Sequence, residues 1–539
     1  MSNTTVPITA DADPRRFAML PEQLPISVLA IIVTVLFALG HSYWTRERPY
    51  RGFPVLALEG KTPRESWLYN ARQLLEEGRK KYPGRTFQVI TGTGPKLVVP
   101  NHFAHELANH PDLPFTKSVV KDFFVMYPGF EPLKLGLHDD ALIQETVRVK
   151  LTQSLALITQ DLVSEVSDVL HDLFGEDRDE WKTVVVLGSV TDIVARVVSR
   201  VLLGRSLCRN PDWLRISKTY TIDAFKAAVQ LRRIPDLLRP FVFWFMPACK
   251  VLRTSVREAH NLIDPEVKRR KQAVDDSIRS GKKPPKVADA IGWMHEISVS
   301  RGYEVDYVAA QLMLSLAGTH TTASALALAL FDAVDNPGVI DALRKEIIEV
   351  VGQYGWNRDK AVMYNLKLMD SFLKETQRIQ PINSTNMNRF VERNIKLSDG
   401  TVLPKNARIM VVGEYRDPNI YQEPDKFDAA RFLQLRKEQP ASENTWQYVS
   451  GSPNHLLFGL GQHICPGRFF AANVIKISLC HMLLKYDWRL VPGTTRPPPM
   501  NSEVNSSLSY AARLQCKRRK EEIDLDHVFV SSEPERVEA

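Results

Sequence analysis

Cysteine is scarce in this chain, with five in 539 residues. Cys208, Cys249, Cys465, Cys480 and Cys516 are odd in number, widely scattered and without C-x-x-C spacing. That pattern excludes a disulfide framework and a cysteine zinc site. No Gly/Ser-rich or Pro-rich linker interrupts residues 60–515, and no repeat of solenoid period is present, so an array of small modules is excluded as well. A phosphate-cradling loop is missing too. Gly92-Thr93-Gly94-Pro95 lies between two strand-like runs and opens no helix, which makes it a hairpin turn. The charge balance is only mildly basic, 70 Lys and Arg against 62 Asp and Glu, a net +8. Without a basic stripe carrying interleaved aromatics, that excess argues against a nucleic-acid partner. It suits an anionic membrane surface and an acidic protein partner instead.

What is present points to one large, mostly helical body. At 44% hydrophobic and 9% aromatic the chain can bury a sizeable core. Helical periodicity dominates, as at 151–173 and 305–336, and short strand runs occur at 86–90 and 96–99. Residues 24–44 carry no charge and reach membrane-spanning length. Tyr43 and Trp44 suit the interface, and Arg46, Arg48 and Arg51 follow. Because positive charge lies after the apolar run, residues 1–23 are expected in the lumen, 24–44 as a single transmembrane anchor and the rest in the cytosol. A cleaved signal peptide ending near Ala38-x-Gly40 is the rival reading. Residues 45–60, with Pro49 and Pro54, read as a hinge, 61–515 as the folded body, and 516–539 as a charged, disordered tail.

The most informative run is Phe458-Gly459-Leu460-Gly461-Gln462-His463-Ile464-Cys465-Pro466-Gly467-Arg468-Phe469-Phe470-Ala471. Gly459, Gly461 and Gly467 permit a tight backbone and the close approach of a flat partner. A helix opening at Pro466 would aim its free amides and its dipole at the sulfur of Cys465. Such surroundings suit a thiolate to bind a metal, although a buried inert cysteine is the ordinary alternative. The loop resembles the haem-binding signature of the cytochromes P-450, Phe-x-x-Gly-x-x-x-Cys-x-Gly, at Phe458, Gly461, Cys465 and Gly467, with Arg468 and Ala471 also matching. The resemblance implies a mainly α fold with a small β-sheet portion. It implies that Cys465 is the proximal thiolate ligand to the iron of a b-type haem (heme b), which favours cleavage of the O–O bond. His463 stands where the family often has an arginine bonding a haem propionate.

Three further segments extend the resemblance in the family's order. Glu375 and Arg378 lie three apart in a run with helical spacing that stops before Pro381. The pattern alone is equally that of a surface pair; the resemblance makes it the family's buried Glu-x-x-Arg, with Arg431 in the turn Phe427 to Phe432 as third partner and Ala429 replacing the usual proline. The apolar stretch 305–336 holds Ala317-Gly318-Thr319-His320-Thr321-Thr322 at its middle. A glycine there costs about 1 kcal/mol against alanine, so Gly318 is expected to make room for something close. Threonines in such a helix can simply bond the carbonyl four residues back. The resemblance assigns Thr321 to proton delivery on the distal haem face and places His320 where the family has an acid, as a possible imidazole relay. Residues 388–410 read as two strands around Ser398-Asp399-Gly400. By resemblance Arg389 reaches a propionate, Ile382 to Met387 face substrate, and Arg148 is a second propionate ligand, a solvated helix charge being its alternative.

The resemblance implies a monooxygenase anchored in the endoplasmic reticulum membrane. Its electrons come from NADPH through a flavoprotein, the NADPH-cytochrome reductase, with cytochrome b5 as a further donor; the chain carries no reductase segment of its own. His463 and the run from Leu207 to Trp213 are similar to fungal members of secondary metabolism, which oxidise apolar small molecules such as terpenoids or meroterpenoids. A desaturase or ring-rearranging oxidase on the same fold, or a haem protein acting as a peroxide-driven isomerase, stay open as alternatives.

Overall fold

The computed structural model describes residues 26–45, 48–137, 141–234, 237–283, 287–356 and 359–528. The expected lumenal segment 1–23 and residues 529–539 lie outside them. The architecture is mainly helical with small sheets, as expected. Its axis is a central helix, Tyr307–Asp335, whose N-cap Asp306 accepts a hydrogen bond from the Ala309 amide at 2.9 Å. It ends at Asn336, ahead of Pro337, which cannot continue a helix. Leu312, Leu326, Ala329 and Phe331 are fully or almost fully buried, so the helix is apolar because it is a core element. Helices Val186–Leu203, Pro211–Arg233 and Arg468–Lys485 pack along it.

The largest sheet has four strands, in the order Phe87–Thr91, Gly94–Val99, Arg408–Val412, Thr385–Phe390. The first two form the expected antiparallel hairpin. Gly94–Val99 then runs parallel to Arg408–Val412, which pairs antiparallel with Thr385–Phe390. The Ser398-Asp399-Gly400 turn closes a smaller hairpin, Ile395–Lys396 with Val402–Leu403. The single hairpin expected over 388–410 is therefore two nested strand pairs.

Two domain boundaries need correction. Residues 50–56 are no hinge: the Gln88 amide brackets Tyr50 and Phe53, donating to their carbonyls at 2.8 and 2.6 Å and accepting from the Tyr50 amide. Leu56 and Pro54 add backbone hydrogen bonds to Gln88. Nor do residues 516–528 form a disordered tail. Cys516 lies in strand Arg513–Arg518, paired with Tyr486–Leu490 and Lys182–Val185. Beyond it Leu525 is completely buried, Trp356 donates to its carbonyl at 2.7 Å, and Asp526 pairs with Lys485 at 2.6 Å. The charges in this segment are partners of the body, which composition alone could not reveal.

The helix Ile26–Thr45 carries an apolar stretch, Val28–Phe37, with Ile32 41% and Phe37 66% exposed. Tyr307–Asp335 is long and apolar enough to cross a membrane by length and composition, but its burial makes it the core helix instead.

Candidate functional site at the cysteine loop

Cys465 sits between a short 3₁₀ turn, Gly461–His463, and the helix Arg468–Lys485, which opens two residues later than expected, with Gly467 as N-cap. Its amide donates to the Phe458 carbonyl at 2.7 Å, closing the loop. Burial pushes the thiol up, while the amides of Gly467 and Arg468 and the Arg468 guanidinium favour the thiolate. Arg468 also donates to the Cys465 carbonyl at 3.0 Å. The other four cysteines are fully buried, and Cys465 alone among the five is not. Phe458 is held by Tyr448, whose ring meets it edge-on at 5.5 Å. Gln377 in turn donates to the Tyr448 hydroxyl at 3.1 Å.

The glycines serve the protein more than the sequence suggests. Gly461 has φ +72°, and a Cβ there would lie 2.6 Å from the Ala108 carbonyl oxygen. It therefore fits the loop against Ala108 and Asn109, whose side chain accepts from Gln462 at 2.7 Å. A Cβ on Gly467 would meet only Val147, at 3.6 Å.

Four cationic or basic groups gather near this loop. Arg389 is 2% exposed on strand Thr385–Phe390, where a β-bulge between Asn386 and Arg389, with Met387 at φ +51°, sets its direction. Its Nε has no partner, and burial lowers the guanidinium to about 10. His463 is near enough to feel Arg389; burial and then that charge hold its imidazole down at about 4, and its Nε2 is buried without a partner. Arg148, in the π-helical turn Thr146–Leu151, is exposed and repels Arg468. Among the described residues no carboxylate pairs with Arg148, Arg389 or Arg468.

On the central helix, Ala317 and Thr321 are exposed although their neighbours Thr319 and Thr322 are buried. Four residues apart, they share one face of the helix. Thr321 Oγ1 donates to the Ala317 carbonyl at 2.7 Å, the ordinary back-bond of a helical threonine. Gly318 faces Val198, where a Cβ would make a normal 3.7 Å contact, so no close approach by the protein itself requires a glycine there. His320 also turns away, its Nε2 lying 2.7 Å from the Lys218 carbonyl of helix Pro211–Arg233. Neighbouring helix positions differ by about 100°, which is why adjacent motif residues part company.

Glu375, Arg378 and Arg431 do come together, on helix Lys367–Ile379 and at the start of Arg431–Glu438. Arg378 grips Glu375 bidentately, both bonds 2.8 Å, and Arg431 Nε adds bonds of 3.1 and 3.2 Å. The Asp428 amide donates to the same carboxylate at 2.9 Å. The rest of both guanidiniums is spent on the carbonyls of Tyr415, Pro424, Lys426, Gln422 and Glu423. The loss of the proline at Ala429 leaves this turn intact. Sequence reading missed the hairpin Met500–Ser507, whose Val504 carbonyl and Ser506 amide bond Ser384 and Ile382; no local signal links segments so far apart.

A mainly helical fold that presents one partly exposed cysteine at a helix start, beside arginines without a carboxylate partner among the described residues, suits a thiolate-ligated cofactor. The chain belongs to the cytochrome P450 family: the profile described as Cytochrome P450 matches residues 71–515. It is 40% identical to "Cytochrome P450 monooxygenase bsc2" of Alternaria brassicicola, over 94% of this chain and 95% of that one. It is 41% identical to "Cytochrome P450 monooxygenase 1" of Gibberella fujikuroi, over 82% and 99%. "Cytochrome P450 monooxygenase adrA" of Penicillium rubens is 39% identical, over 85% and 89%. The protein is accordingly a cytochrome P450 monooxygenase. Membership implies a haem iron held by a cysteine thiolate, and the residues fit that group. The orphaned Nε of buried Arg389, the orphaned Nε2 of His463, and Arg148 and Arg468, which have no carboxylate partner among the described residues, match the two propionates of such a group.

Proposed function

We propose that Cys465 is the iron ligand of a b-type haem and that the protein oxidises an apolar small molecule, a terpenoid or meroterpenoid of secondary metabolism. The observation that carries this reading is Cys465, alone among the five cysteines in not being fully buried, just before a helix N-terminus and near arginines that have no carboxylate partner among the described residues. When bound, the haem supplies dioxygen activation, favoured by thiolate ligation. Arg389, Arg148 and His463 orient it through its propionates, and Phe458, Gly461 and Gly467 shape the loop. Thr321 holds a proton at Oγ1 on the helix face it shares with Ala317. Ile382 to Met387, backed by the Met500–Ser507 hairpin, line the substrate side.

The relatives' names support monooxygenation over desaturation or isomerisation. Electrons are supplied from NADPH by a flavoprotein reductase, with cytochrome b5 as a second donor. The uncharged run 24–44, whose described stretch 29–37 is exposed, anchors the protein in the endoplasmic reticulum membrane, with residues 1–23 lumenal. Cys465→Ser tests the ligand assignment: the carbon monoxide difference band of thiolate-ligated haem should vanish. Substitution of Cys208, Cys249, Cys480 or Cys516 should leave it in place. A Cys465→Ser protein that keeps the band overturns the assignment, and turnover without NADPH and reductase overturns the monooxygenase reading.

A further inference from the structure

His320 is half-buried in the middle of the central helix, and its Nε2 lies 2.7 Å from the backbone carbonyl of Lys218. A carbonyl oxygen only accepts, so at this distance Nε2 carries the hydrogen and donates it. Burial lowers the imidazole below its usual range, so at neutral pH the ring is uncharged and has one N–H to give. That one N–H is spent on Lys218. Lys218 itself is a junction of three helices: its ammonium pairs with Asp192 of Val186–Leu203 at 2.6 Å, while its carbonyl receives His320 of Tyr307–Asp335.

Thr321, next in sequence, points about 100° away and is exposed. The two residues therefore serve different neighbours, although the sequence reads them as one pair.

We infer that His320 is a positioning residue whose Nε2–H pins helix Pro211–Arg233 to the central helix and so fixes where that helix lies against the segment carrying Thr321. It is not the functional equivalent of an acid that passes protons to Thr321. An aspartate at this position is too short to reach the Lys218 carbonyl and has no hydrogen to donate to it. Glutamine, by contrast, carries its Nε2–H₂ the same number of bonds from Cα as histidine carries Nε2. The inference rests on the haem-monooxygenase reading only for what the Thr321 face is used for; the helix tie stands without it.

The test compares the full-length wild type with His320→Gln, His320→Asp and His320→Leu. Amide hydrogen exchange by mass spectrometry is read on peptides covering 211–233. Binding of an N-aryl imidazole is followed by its Soret shift. His320→Gln should keep exchange within about twofold and azole affinity within about threefold of wild type. His320→Asp and His320→Leu should each speed exchange across 211–233 by tenfold or more and weaken azole binding. Wild-type protection and affinity in His320→Asp, or their loss in His320→Gln, would overturn the inference. Should His320→Asp fail to fold, the Gln and Leu pair decides alone. A wild type lacking the thiolate band would instead sink the haem reading, leaving the exchange result to judge the tie.

Discussion

Removal of the Glu375 carboxylate is the most severe single perturbation the structure offers away from the cysteine. The side chains of Glu375 and Arg378 are 0% exposed and that of Arg431 is 9%. Glu375→Ala deletes two 2.8 Å bonds to Arg378, the 3.1 and 3.2 Å bonds to Arg431 and the bond from the Asp428 amide. Both guanidiniums keep their backbone carbonyls, but carbonyls do not neutralise them, and two positive charges stay close together out of water. Breaking a buried pair in this way costs about 3–5 kcal/mol, against a total stability typically about 5–15 kcal/mol. Glu375→Gln retains an acceptor but points an NH₂ at a guanidinium, so it should fall between alanine and wild type. Urea unfolding followed by tryptophan fluorescence measures the loss, and the carbon monoxide band per mole of protein measures haem loading. Expected are a large drop in the midpoint and little loaded protein. A Glu375→Ala protein with an unchanged midpoint and full loading would refute the reasoning, since an uncompensated buried pair of arginines cannot be free of cost.

Thr321→Val keeps the shape of the side chain and loses only the back-bond to Ala317; it should load haem normally, yet form less product and more hydrogen peroxide per NADPH. Equal product per NADPH would show that protons arrive by another route. Deletion of residues 523–539 exposes the site of Leu525 and orphans the Trp356 indole N–H, a loss of about 2–5 kcal/mol readable as a lower urea midpoint, whereas a disordered tail would leave the midpoint unmoved. The Glu266 carboxyl is held down at about 2, chiefly by hydrogen bonds from Arg269 and then Arg270. Its unfolded value is about 4.3, so its contribution is fully present above that pH and is lost as pH falls toward 2. Glu266→Gln should lower stability at neutral pH and flatten its decline between about pH 4.5 and 2, as measured by urea midpoints across that range.

The local chemistry was legible without coordinates. Glycines flanking Cys465, an arginine after Gly467 and a helix opening behind the sulfur are short-range features, and the loop is built as those residues require. So are the extent of the central helix, read as 305–336 and stopped at Pro337, and the i, i+3 spacing that lets Arg378 grip Glu375. Periodicity, capping and turn chemistry depend on neighbours a few residues apart, and a chain carries that information along its length. Which neighbour each face meets depends on segments hundreds of residues away. Only the tertiary structure turned His320 toward Lys218, set Gly318 against Val198 and Gly461 against Ala108, and left Arg389 without a carboxylate. It also folded Leu525 and Asp526 onto Trp356 and Lys485, where composition suggested solvent. A helix fixes the angle between its own side chains to about 100° per residue, but the rotation of the whole helix in the core is decided by packing, and packing is where the motif's four adjacent residues were given separate tasks.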